Sequence, residues 1–403
     1  MEVYILDSLL RRIDVVDVFE SLIWTERFRE FGDFELLIRS TSTSRAQFKE
    51  GTQLAMNESY RVMTVETVED RIEDDGARML KVSGNSIESL LLDRVARNSL
   101  TSVTPWVIND TPGAVARKIF HDVCVTGVLD VGDKIDFVTE AMHPQMISGN
   151  ILEPVDPVKV ELPALPPSTV YDAIKELCDI WTLGFRLLLD LGGSQLYWDV
   201  YAGNDRTSGQ TTRPPVIFAP DLDNLTNVTE LSSIESSKNV AYVFAANGSF
   251  IVYPDDIDPS TDSFERRILI VDANDVTLPR GTYTGGVPDT DATAFETVVK
   301  QRGKDALAKN RAFQVFDGEV NRNSQYKYQK DYYLGDLVEV RNTDGVANLM
   351  RVTEQIFISD REGERSYPTL AKNVFVNTGS WLYQRTKTWL DYDGDPITWS
   401  EMP

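Results

Sequence analysis

Apolar and polar positions alternate in short runs over most of this chain, interrupted by a few stretches at helical spacing. Val3 and Ile5 alternate with Tyr4 and Leu6, which predicts a strand. Residues 23–38, IWTERFREFGDFELLI, carry two such sets around a turn at Gly32-Asp33. Trp24, Glu26 and Phe28 alternate with Ile23, Thr25 and Arg27 before the turn, and Phe34, Leu36 and Ile38 alternate after it. Trp24, Phe28 and Phe31 also stand at i, i+4 and i+7, so periodicity alone leaves a helix open, and the surroundings favour the hairpin. A second hairpin, RVMTVETVEDRIEDDGARMLKV, turns at Asp74-Asp75-Gly76. SGNSIESLLLDRVA then reads as a helix, with Asn85 as its cap and Glu88 as the returning partner of a capping box.

Between 101 and about 200 the period changes. NDTPGAVARKIFHDVC predicts a helix capped by Thr111, with Pro112 at the first helical position and Val115, Ile119 and Val123 on its apolar face. A proline-rich connector, EPVDPVKVELPALPPST, leads to VYDAIKELCDIW, where Tyr171, Ile174, Cys178 and Trp181 recur at helical spacing. FRLLLDLGGSQLYWDVY predicts a hairpin around Gly192-Gly193. From 216 strands return in VIFAPDLDNL and NVAYVFA, followed by a helix in ATAFETVVKQRGKDALAKNRAF with Phe295, Val298 and Val299 apolar. Three strands follow: AFQVFDGEV, YLGDLVEV and LMRVTEQIFI. Strands, one helix and more strands loosely echo the first hundred residues, without a fixed-period repeat.

Composition bounds the class. At 403 residues, two to four domains are expected, and 42% hydrophobic residues supply real cores. No run approaches the roughly 18 apolar residues of a membrane-spanning helix, and MEVYILDSLLRR lacks the pattern of a cleaved signal peptide. Cys124 and Cys178 are too few for a disulfide scaffold and point to free thiols in a reducing cytoplasm. With 63 acidic against 40 basic residues the net charge is −23, which argues against a reader of DNA or RNA. The excess serves solubility, or forms a surface past which nucleic acid slides without sticking.

Candidate chemistry is sparse. His121 and Cys124, at i and i+3, could seat two metal ligands, but Cys178 stands alone and His143 lies in a Met/Pro loop, so no metal is expected. No GxSxG elbow supports a Ser-His-Asp triad. A carboxylate pair of the glycoside-hydrolase kind stays open as the alternative, a wall-degrading enzyme, because acidic residues are abundant. GNDRTSG, 203–209, lacks the ending of a phosphate loop and reads as a turn. DYDGDP places Asp391, Asp393 and Asp395 as in the start of a calcium loop, but Pro396 replaces the turn glycine.

Five stretches in order, LIWTERFREFGDFELLI, VSGNSIESLLLDRV, YAGNDRT, DNLTNV…KNVAYV and YYLGDLVEV, resemble the tail-hub (minor tail protein) family of long-tailed, non-contractile phages. The resemblance covers about residues 1–375. It implies a β-rich α+β fold: two tail-tube-like β-barrel domains (1–100 and 216–378), an inserted α+β domain (101–215) and a C-terminal arm (379–403). It also implies a homotrimeric ring at the distal tail tip of the virion, assembled in the host cytoplasm, adapting a sixfold tube to a threefold tip and lining the DNA channel. Expected partners are tube-side ring proteins, the tape-measure protein and a tip or fibre protein. DNA would pass without specific binding, and the chain would not insert in a membrane.

No enzymatic activity, catalytic residue or cofactor is implied. The resemblance makes Gly32, Asp33, Gly335 and Asp336 turn residues, and gives the loop of Gly203, Asp205 and Arg206 an Asp–Arg tie. Glu26, Arg27, Arg29 and Glu30 then lie where neighbouring subunits could pair charges. Trp381, Trp389 and Trp399 in the arm are further interface candidates. Two departures stand out: LLDRV is less basic than in relatives, and the arm lies outside the shared pattern.

Overall fold

A computed structural model describes residues 1–72, 76–190, 192, 194–235, 237–254, 264–276, 281–284, 287–288, 290–310, 312–320, 325–341 and 347–374. The expected turn residues Asp74, Asp75 and Gly193, and the whole arm with Trp381, Trp389, Trp399 and the Asp391–Asp395 run, lie outside these residues.

The first hundred residues form β1 (Val3–Leu6), β2 (Arg12–Val16), β3 (Ser21–Arg27), β4 (Asp33–Arg39), α1 (Ser42–Gln47), β5 (Gln53–Met56), β6 (Ser59–Ile72) and β7 (Arg78–Ser86). The 23–38 segment is a hairpin: β3 and β4 run antiparallel with Trp24 opposite Phe34 and Leu22 opposite Leu36. Side chains alternate across a strand, so these four and Ile38 reach one shared core. Phe28 and Phe31 fall in the connection rather than on a helical face.

The expected helix after β7 is displaced and differently capped. Asn85 stays in the ladder, opposite Asp33 and Thr64. A 3-10 helix follows over Ile87–Asp93, with Ser86 at its cap position and no side-chain cap bond. Glu88 turns inward to Arg61 instead of back to the helix start. Two more ladder positions and a buried ion pair outweigh one local capping bond.

The next elements are β8 (Trp106–Asp110), α2 (Pro112–Phe120), β9 (Val138–Glu140), β10 (Val158–Leu162), α3 (Val170–Trp181), β11 (Gly184–Asp190) and β12 (Gln195–Tyr201). Thr111 caps α2, its hydroxyl accepting from the amide of Ala114, and Pro112 occupies the first turn. The helix runs on as a π-helical turn, His121–Thr126. The proline-rich connector is not structureless: β10 pairs with β8, Leu162 opposite Trp106. β11 and β12 form the expected hairpin, and β9 joins β12 in parallel. α2 and α3 bury Ile119, Ile174 and Cys178 against this sheet, and Phe120 stacks on Trp198 with ring centroids 4.0 Å apart.

The remainder comprises β13 (Ile217–Phe218), β14 (Leu225–Ser233), β15 (Val240–Ala245), β16 (Gly248–Val252), β17 (Ile268–Asp272), β18 (Tyr283–Thr284), β19 (Val287–Pro288), α4 (Thr290–Lys309), β20 (Ala312–Val320), β21 (Leu337–Arg341), β22 (Ala347–Asp360) and β23 (Gly363–Val374). The long sheet runs β14-β20-β23-β22-β3-β4-β7-β6-β5-β1-β2, with β21 pairing β22 and β13 pairing β21. Phe357 of β22 lies opposite Trp24 of β3, so a late strand of the described chain pairs edge to edge with the opening hairpin. Among the described residues no ladder closes this sheet into a barrel.

The chain divides into two compact units. The first holds Met1–Thr229 and Phe316–Ala371; the second holds Glu230–Val315 and takes up the chain again at Lys372. In the second unit β16, β15 and β17 form a three-stranded sheet, and α4 packs Phe295 and Val299 against Val243 and Val252.

Candidate functional site: a buried ionic seam in the first unit

Arg61 of β6 is 1% exposed and lies between two buried carboxylates, Glu26 of β3 at 2% and Glu88 of the 3-10 helix at 0%. Its guanidinium donates to Glu88 Oε1 and, at 2.9 Å, to the carbonyl of Arg27. Glu88 Oε1 also accepts from the amide of Leu187 on β11 at 2.9 Å. Glu26 accepts from the hydroxyls of Ser59 and Tyr328, the latter at 2.7 Å across 302 residues of sequence. Desolvation pushes the Glu26 carboxyl up against the lowering influence of Arg61 and its two hydroxyl donors. Burial works to lower Arg61, but Glu88 and Glu26 outweigh it and raise the guanidinium's pKa. The seam thus joins the opening hairpin, the β6–β7 hairpin, the α+β layer and the connection that precedes β21.

A second cluster lies beside it. Asp336, fully buried, accepts at Oδ1 from the amide and side-chain nitrogen of Asn204 at 2.8 and 2.9 Å. Its Oδ2 accepts from the amide of Tyr333 at 3.1 Å and faces Arg206 Nε at 3.5 Å. Burial raises the Asp336 pKa despite these donors. Gly203 and Gly335 both have positive φ, +84° and +86°, and pack backbone to backbone. The Phe28 ring lies on Gly335 and Gly184, where any Cβ would overlap it, and meets Tyr201 edge-on at 5.3 Å. Arg351 donates to the carbonyls of Ala202 and Gly335. Burial first, and the neighbouring Arg29 next, lower its pKa to about 10.

Of the charges expected on a meeting surface, Glu26 is interior, because its carboxylate is taken up by Arg61's field and two hydroxyls. Arg27 pairs with Asp33 and with Glu354 at 2.7 Å, tying β3 to β22. Arg29 lies 3.9 Å from Asp179, and Glu30 pairs with Lys175 at 2.5 Å, both on α3. The backbone N–H of Gly32 donates a hydrogen bond to the Ser86 hydroxyl at 2.8 Å. The acid partner of Arg206 is Asp336, while the Asp205 carboxylate accepts from the amide of Thr207 at 2.8 Å and shapes the GNDRTSG turn.

His121 and Cys124 are not brought together as ligands: His121 Nδ1 is 2.7 Å from Glu140, and Cys124 is buried. Among the described residues no cluster of His, Cys, Asp and Glu could hold a metal ion. Sequence reasoning missed the seam, although a charged residue on an inward-alternating strand position was a signal at both Glu26 and Arg61.

Burial raises the Cys124 thiol to about 12, and Cys178 is pushed up further. Both thiols are therefore expected to resist Ellman's reagent in the native protein and to react stoichiometrically, two per chain, in unreduced denaturant. Fast native labelling, or fewer than two thiols after unfolding, would contradict this.

The chain resembles solved phage tail proteins over nearly its whole length. The tail protein from Neisseria meningitidis MC58 is 14% identical, with a TM-score of 0.53 over 92% of this chain and 96% of that one. The 43 kDa tail protein of prophage MuSo2 from Shewanella oneidensis is 15% identical, with a TM-score of 0.51 over 92% and 97%. At these identities the likeness establishes the fold. No curated protein matches the sequence. The family described as Siphovirus ReqiPepy6 Gp37-like protein matches residues 2–370. The chain belongs to that family of siphovirus tail proteins.

Proposed function

We propose that this tail protein is a structural hub: a homotrimeric ring at the distal tail tip that joins the sixfold tube to a threefold tip or fibre and surrounds the DNA channel. The observation that carries the reading is the family match along residues 2–370. The buried carboxylates fit the same reading, since Glu26, Glu88 and Asp336 are engaged by protein donors and serve architecture. Two tube-like barrels, completed on assembly, would put the long sheet of the first unit beside those of neighbouring copies. β2, at the end of that sheet, offers an unpaired edge among the described strands. The tube-side ring, the tape-measure protein and a tip or fibre protein are the partners of such a ring. Acidic residues facing the lumen, drawn from the net charge of −23, would let DNA slide through without adhering.

Light scattering of the purified chain should give three times the monomer mass, and negative-stain images should show a threefold ring with a central opening. A chain that stays monomeric both alone and with its neighbouring tail proteins would overturn the hub reading.

A further inference from the structure

The three-stranded sheet of the second unit has one face covered by α4; the other is buried at Val240 and open beyond it, from Ile268 to Phe244. Ala241 and Val243 of β15 point to α4, with Val252 and Val271 beside them. Tyr242 and Phe244 point the other way, as the two-residue alternation requires. Register places Ile251 and Ile270 on either side of Tyr242, and Ile268 next in line on β17. On this outer face Ile270 is 75% exposed, Ile251 52%, Phe244 45% and Ile268 40%. Arg266 completes the patch, its guanidinium 3.2 Å from the hydroxyls of both Tyr242 and Tyr253. Four large apolar side chains beside an arginine held between tyrosines are the composition of a binding surface rather than of a solvated one.

We propose that the occupant of this face is the C-terminal segment of the same chain, residues 375–403. Three observations select it. The described chain ends at Val374, and Lys372–Val374 belong to the second unit, the one that carries the open face. The 29 residues beyond can span about 95 Å when extended, so reach sets no limit. Their chemistry is complementary: Trp381, Trp389 and Trp399 match the apolar patch, and Asp391 and Asp393 match Arg266. Left in water, those tryptophans and the isoleucines of the sheet would both remain hydrated; joined, each removes the other's apolar surface.

Limited trypsinolysis of the full chain tests this, because Arg385 and Lys387 lie within the segment. Cleavage after them, followed by mass spectrometry, should be at least tenfold slower than in a synthetic 375–403 peptide. Ile270→Asp should restore near-peptide rates, and the milder Ile270→Ser should fall between. Ile13→Asp, on an exposed position of the first unit, should change nothing. Circular dichroism establishes that each variant is folded, and Phe244→Ser provides an independent disruption should Ile270→Asp fail this check. Peptide-like cleavage of the wild type, or unchanged protection in the folded sheet variants, would overturn the proposal. Protection that grows with protein concentration would overturn it too, by assigning the face to a second copy.

Discussion

Arg61→Met should remove about 3–5 kcal/mol of stability, the usual cost of leaving a buried charge uncompensated, and here two carboxylates lose the same cation. Against a total of roughly 5–15 kcal/mol for a typical domain, that is a large share of the first unit's stability. Chemical denaturation should show it as a much lower midpoint, while Arg11→Met, at an exposed pair with Asp7, leaves the midpoint in place. The pH dependence carries the sign. Glu26 already has a folded pKa above its ordinary value, so its contribution is present at low pH and is lost as pH rises through that folded value. Without Arg61 the folded value rises further. The variant should therefore recover relative to wild type on going from pH 8 to pH 5. A deficit that is equal at both values, or larger in acid, would mean that lost packing rather than uncompensated charge is responsible.

The second large effect is expected at the wedge of Phe28. Phe28→Ala should cost about 3–5 kcal/mol, because a fully buried ring is removed between β11 and the Tyr333–Asp336 turn. Gly335→Ala should also destabilise, for two separable reasons. Its φ of +86° is unfavourable for a residue with a Cβ, by roughly 1–2 kcal/mol. The new methyl would in addition overlap the Phe28 ring, since the nearest atoms to a Cβ there all belong to that ring. Only the second penalty vanishes when the ring is gone. The double variant should thus be more stable than the sum of the single effects, by on the order of 1–3 kcal/mol. Strict additivity in equilibrium unfolding would show that Phe28 does not set the glycine requirement.

Local pattern alone was enough for the elements whose determinants sit within a few residues. The β3–β4 hairpin follows from two alternating sets around a Gly-Asp turn, and α2 from Thr111, Pro112 and an apolar stripe. α3 and the β11–β12 hairpin were legible for the same reason. Resemblance of five short stretches gave the family, which the match over residues 2–370 bears out. What the sequence left undecided was set by partners far along the chain. Glu26 looked like a surface charge because nothing near it in sequence reveals Arg61, Ser59 or Tyr328. Glu88 fitted a capping box until Arg61 and the amide of Leu187 offered stronger partners in the interior. Arg206 found Asp336 rather than the adjacent Asp205, and the proline-rich connector became a strand only because β8 lay beside it. Periodicity reports which side of an element is apolar, and caps report where it begins. The free energy of a buried charge depends instead on which opposite charge the fold brings against it, and only the tertiary structure decides that.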